Sequence, residues 1–184
     1  MTGEVAVFND KLEKIYHTFV YHDPKHITNL HCGITGFNRD TLNNGQRLEV
    51  VKREIQNLFT DAMVIGCALE LQFSSLGLDY RNFMTIDLQS FYRKKSQYIS
   101  GVSEPIGVRH LIAHYYSVDI FQNKQNASEV AYFIMRLYLE QYTREIKIKN
   151  ITFDHIKRLP SLYVPPKRDY NKSSQNTKKV HFKT

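Results

Sequence analysis

From Val5 to Val20 the apolar positions Val5, Phe8, Leu12, Ile15 and Phe19 fall at intervals of three and four. That spacing is one stripe of an amphipathic helix. Asp23-Pro24 ends the segment, and a polar stretch follows through Asn43-Asn44-Gly45. Leu48, Val51, Ile55, Leu58, Phe59, Ala62, Ile65 and Leu69 keep the helical period, which predicts one long helix from about Gln46 to Phe73. Leu76-Gly77 breaks it, and Asp79 suits the cap of a further helix to about Ile99. Pro105, tolerated in a first turn, opens a helix over roughly Ile106 to Val118. Asn126 with Glu129 three residues on fits a capping arrangement before a helix from Val130 to Ile146. Lys147 to Phe153 alternates through Ile148, Ile151 and Phe153, the pattern of a short strand. The pattern as a whole predicts an all-α bundle of about five helices.

Composition narrows the class. The chain has 184 residues, 42% hydrophobic and 23% charged, enough for one packed core and too apolar for global disorder. The apolar run Ala62 to Leu71 contains Glu70 and falls well short of the roughly 20 residues of a membrane span. The first residues lack the basic start and apolar block of a secretion signal, and two cysteines, Cys32 and Cys67, suit reduced thiols. A cytoplasmic protein without a membrane partner is the expectation.

Charge divides the chain further. Eight of the 25 basic side chains lie in residues 157–184, against one of the 18 acids, so residues 1–156 are neutral and the whole excess of +7 sits at the end. Together with Pro165-Pro166 and the Asn/Ser/Lys run, this predicts a domain over 1–156 and a basic, flexible tail over 157–184. Lys167, Arg168, Lys172, Lys178 and Lys179 would let that tail meet a polyanion such as RNA.

The segment with chemical content is Val108-Arg109-His110-Leu111-Ile112-Ala113-His114-Tyr115-Tyr116, followed by Val118-Asp119. At about 100° per residue, Val108, Leu111, Ile112 and Tyr115 share one arc, while Arg109, His110, Ala113, His114 and Tyr116 share the other. Arg109 and His114 stand about 140° apart with small Ala113 between them, so a guanidinium, an imidazole and a phenol surround a patch of polar surface.

Arg109, four residues, His114, one residue, Tyr116 resembles the signature of HEPN-domain ribonucleases, above all the HepT-type toxins. The resemblance implies a HEPN-like bundle and a metal-independent endoribonuclease, a toxin or defence nuclease, with no cofactor. His114 would be its acid or base and Arg109 its phosphate clamp, chemistry that suits an imidazole near neutral pH and a permanently charged guanidinium. His110 would support them. It also implies a homodimer, an RNA substrate, and a nucleotidyltransferase-like antitoxin that modifies Tyr116. A catalytically silent HEPN-like module binding RNA or protein is the alternative.

Metal sites are less well supported. His110 and His114 have the spacing of two ligands on one helix face, without a third nearby. His17, His22, His26, His31 and Cys32 cluster within 16 residues but match no standard zinc spacing, so no metal is expected. Cys67 reads as a small core residue.

Overall fold

A computed structural model describes residues 2–147, apart from residues 28, 31, 97–99, 123 and 125. Strand β1 (Glu4–Phe8) and strand β2 (Lys14–Phe19) form an antiparallel hairpin, with Glu4 opposite Phe19 and Val7 opposite Tyr16. This replaces the helix expected over Val5 to Val20. Asn9 Oδ1 accepts from the amides of Lys11 and Glu13, and Leu12 takes a left-handed φ of 62° to complete the turn. The three-and-four spacing arose because that turn shifts the alternation of one strand against the other. Within each strand the period is two, and it puts Val5, Val7 and Tyr16 against the core.

Val20 then bridges to Gln46, and two short helices lie between, α1 (Cys32–Thr35) and α2 (Arg39–Asn43), the second capped by the Asn38 side chain. The expected long helix from Gln46 to Phe73 is three elements: α3 (Leu48–Leu58), β3 (Met63–Gly66) and α4 (Leu69–Ser75). Helix α3 buries Val51 and Ile55. It stops at Phe59, and Asp61, at φ 58°, turns the chain into β3. Met63, Val64, Ile65 and Gly66 carry no polar alternation in sequence, although Met63 is exposed and Val64 and Gly66 are buried, so periodicity alone could not separate β3 from the helix before it.

Strand β4 (Met84–Asp87) pairs with β3 in parallel, Met63 beside Met84 through Gly66 beside Asp87. Asp79 does cap, but a three-residue turn over Tyr80–Asn82 rather than a helix to Ile99. Short α5 (Leu88–Phe91) leads into the antiparallel pair β5 (Arg93–Lys95) and β6 (Ser103–Pro105). Helix α6 (Val108–Tyr116) lies within the expected span, but Pro105 ends β6 instead of entering the first turn, and Gly107 stands at the N-cap. Helix α7 (Ala127–Leu137) opens on the expected cap, Asn126 accepting from the Glu129 amide, and runs through a wide turn over Tyr138–Tyr142 into α8 (Thr143–Lys147).

The architecture is therefore mixed α/β, and the all-α, HEPN-like reading is corrected. One apolar core gathers Val20, Val51, Ile55, Val64, Leu69 and Phe73 beneath the hairpin; a second joins Cys67, Leu88, Tyr92, Ile106, Leu111 and Leu137. Helix α7 packs against β1, β3 and α6, so it spans both. The strand expected over Lys147 to Phe153 lies outside the described residues beyond Lys147, as does the tail over 157–184 with Lys167, Arg168, Lys172, Lys178 and Lys179. Among the described residues no helix is long and apolar enough to cross a membrane.

Candidate functional site

Helix α6 turns Leu111 and Ile112 inward, both fully buried, and leaves Arg109, His110 and His114 on its outer arc, whereas Tyr116 packs against the second core with its hydroxyl buried. Arg109 does not stand open on that arc. Its Nε and one terminal nitrogen donate to the two oxygens of Asp119 at 2.7 and 2.6 Å, with both side chains about one-fifth exposed. This bidentate pair, set over the Phe121 ring at 5.9 Å, ties α6 to the loop after it. The His114 ring meets Tyr115 edge-on at 4.8 Å. Burial, then the positive charges of Lys94 and Arg109, holds the His110 imidazole below its ordinary range. Tyr116 lies on Phe133 with the Arg136 guanidinium 4.5 Å from its ring centre, and burial with the Glu140 carboxylate raises its phenol. Beyond that arc, Tyr115 donates to Glu145 at 2.5 Å and so anchors α8. The described cations and aromatics of α6 thus serve contacts within the fold.

A second place in the molecule has the form of a binding site. In open sheets with parallel strands, ligands bind outside the carboxyl ends of those strands. Here those ends are Gly66 and Asp87. Asp87 accepts from the amides of Ala68 and Leu69 at 3.0 and 2.8 Å and from Gln89 at 2.9 Å, capping α4 and α5 at once. Ala68 is forced into the left-handed region at φ 57°. Cys67 sits beside it, 7% exposed, as the sequence suggested for a small core residue. Its thiol is pushed up to about 12 by burial and then by Asp87. Gln72 on α4 donates to the Cys67 carbonyl at 2.7 Å.

Next to this edge two cavities of about 560 and 420 Å³ share Val5, Ala6, Gln72, Leu76, Ala131 and Ile134, so they form one cleft between the hairpin and α4 with α7 as its floor. The larger part is apolar. The smaller has a polar rim in which Thr2 donates to Ser75 at 2.6 Å and Glu4 accepts from the Ala127 amide at the start of α7 at 2.9 Å. Glu4 also holds His17 at 2.8 Å. His22 bonds the Thr2 carbonyl at 2.6 Å, so neither histidine joins the zinc arrangement considered from spacing.

The fold is similar to that of exonuclease domains. No family model matches the chain. Its sequence is similar to human RNA exonuclease 4, 25% identical over 139 residues, covering 76% of this chain and 32% of that protein. In structure it is similar to the catalytic unit of Neurospora crassa Pan2, a protease and nuclease domain, with a TM-score of 0.64 and 17% identity over 84% of this chain and 26% of that one. The Saccharomyces cerevisiae Pan2 pseudoubiquitin hydrolase–RNA exonuclease module in complex with A7 RNA gives a TM-score of 0.59 and 18% identity, over 74% and 23% of the two chains. The chain thus spans about a third of the curated relative. These likenesses overturn the HEPN resemblance, and with it the metal-independent endoribonuclease toxin. The homodimer and the antitoxin modifying Tyr116 rested on that resemblance and lose their ground.

Nucleases of many folds clamp phosphate between paired divalent ions held by carboxylates. The residues at this cleft do not fit such ions. Among the described residues no group of three or more His, Cys, Asp or Glu side chains is placed to hold a metal. At the carboxyl ends of β3 and β4 the one carboxylate is Asp87, whose oxygens are engaged by three amides, and its neighbours are a protonated thiol and an amide side chain. Glu4, the acid of the polar rim, is spent on Ala127 and His17. The cleft carries no spacing motif, because Glu4, Gln72 and Asn126, which line it, and Asp87 at the neighbouring strand end lie far apart in the chain. The one legible signal was Met84-Thr85-Ile86-Asp87, an apolar strand ending in a capping acid.

Proposed function

We propose that the chain is a domain of the RNA-exonuclease type, with RNA as its substrate class and the cleft over α7 as its binding surface. The observation that carries this reading is the similarity to RNA exonuclease 4 over 139 residues, and the fold shared with the Pan2 units supports it. Such a domain takes a strand from its end and does not cut internally. A second reading has its own observation: the described residues lack a metal-holding group of acids, which favours a domain that binds RNA without hydrolysing it. One experiment separates them. The purified chain is incubated with end-labelled single-stranded RNA and magnesium or manganese, and both binding and products are followed. A ladder shortening one nucleotide at a time supports the hydrolytic form; bound and intact RNA supports the binding form. Internal fragments, or no RNA binding, would overturn the proposal.

A further inference from the structure

Among the described residues, the two sheets at the cleft each consist of two strands, which leaves one edge of β1 and one edge of β3 without a strand partner. Strand β1 has β2 as its hydrogen-bonded neighbour and β3 has β4, each pair a separate two-stranded sheet. Yet residues of β1 and of β3 line one and the same cavity of about 560 Å³. Val20 donates to Gly3 at 3.0 Å, so the alternation of an antiparallel ladder turns Val5 and Val7 toward β2 and leaves the backbone of Ala6 on the open edge. An unpaired edge facing an apolar space is costly unless something bonds to it.

The floor repeats the message. Ala131, Ile134, Met135 and Tyr138 of α7 and the turn after it line the slot at i, i+3, i+4 and i+7, a helix stripe that ordinarily packs on a sheet strand. The other wall is apolar too, with Ile55, Phe59, Leu69 and Phe73. Among the described residues, Asp10 is the sole charged one in the lining. A space closed by apolar side chains on both faces and by open strand edges on both sides has the chemistry of a central strand's seat.

We propose that the slot between β1 and β3 accepts one β-strand from a partner polypeptide: an extended, uncharged segment of about four residues, apolar on both faces. The length follows from β1 and β3, five and four residues long. Its backbone bonds to both edges and joins the two sheets into one, with α7 beneath. This inference does not depend on RNA binding.

The test uses the full 184-residue chain and a capped peptide, Lys-Val-Ile-Ala-Val-Lys, beside the same peptide N-methylated at alternate residues. With the first peptide at ten times its Kd, amide exchange at Ala6 slows about tenfold. The N-methylated peptide keeps the apolar surface but lacks half the donors, and binds at least about tenfold more weakly. Ala6→Pro, which spares the β2 ladder, weakens the unmodified peptide in the same sense. Equal binding of the two peptides would make the slot a plain apolar pocket. Slow exchange at Ala6 without peptide would mean the chain fills the slot itself. Either result, or no binding at millimolar peptide, overturns the proposal.

Discussion

Asp87 shows how much can rest on one carboxylate. Its oxygens satisfy three backbone amides at the starts of α4 and α5, where helix ends leave donors orphaned. Asp87→Ala should cost about 1–3 kcal/mol of stability in urea unfolding. Ala68 is its opposite: a Cβ held at φ 57°, a conformation glycine adopts freely. Ala68→Gly should therefore raise stability by up to about 1 kcal/mol, and a loss in the same assay would argue against the left-handed turn. Arg109 belongs with these structural residues, since its fork lies on Asp119 at one-fifth exposure. Arg109→Ala and Asp119→Ala should each lower stability by about 1–3 kcal/mol, and a double-mutant cycle should show them coupled. Its place on the polar arc alone predicted a substitution without effect on the fold. Cys67 adds a pH dependence. Its thiol stands at about 12 in the fold, against roughly 8.5 in an unfolded chain. The unfolded chain releases the proton first, so this contribution is whole below about pH 8.5 and fades as pH rises toward 12. The urea midpoint of the wild type should thus fall more steeply between pH 8 and 10 than that of Cys67→Ala.

Among the elements, the hairpin and its junction with α3 decide whether the β half of the fold can form. Val20 bridges Gln46 there, and a Cβ on Gly45 would stand 2.7 Å from the Phe19 carbonyl oxygen, the Tyr21 nitrogen and the Val20 carbonyl carbon. Backbone cannot yield as a side-chain tip can, so Gly45→Ala should cost on the order of 2–4 kcal/mol. Gly33, with open space around its Cβ position in α1, should accept alanine with little change or a gain of up to about 1 kcal/mol. Comparing the two melting temperatures checks both. The helices were the legible elements, and for local reasons: α6 follows Pro105, α7 follows the Asn126–Glu129 cap, and both keep one apolar face. The strands were not. Residues 63–66 and 84–87 are too short to show a period, and β1 with β2 imitates a helix stripe across a turn.

For the whole molecule, the excess of basic charge lies in residues 157–184, outside the described residues. Residues 165–184 hold six basic side chains (Lys167, Arg168, Lys172, Lys178, Lys179 and Lys183) against Asp169, and all lie outside the described residues. Removing them should leave the unfolding transition unchanged. If about five of them meet single-stranded RNA, the slope of log affinity against log salt should flatten by roughly 3 to 4. An unchanged slope would place any RNA contact outside residues 165–184. The amino-acid sequence by itself determined this charge division, the caps at Asp79 and Asn126, and the helices that follow Pro105 and Asn126, because each depends on neighbours within a few residues. Only the tertiary structure decided that β3 and β4 are strands, that Arg109 belongs to Asp119, and that Glu4, Gln72 and Asn126 line one cleft. These contacts join residues from 10 positions apart, for Arg109 and Asp119, to 123 apart, for Glu4 and Ala127, and their free energy comes from partners that no local pattern names.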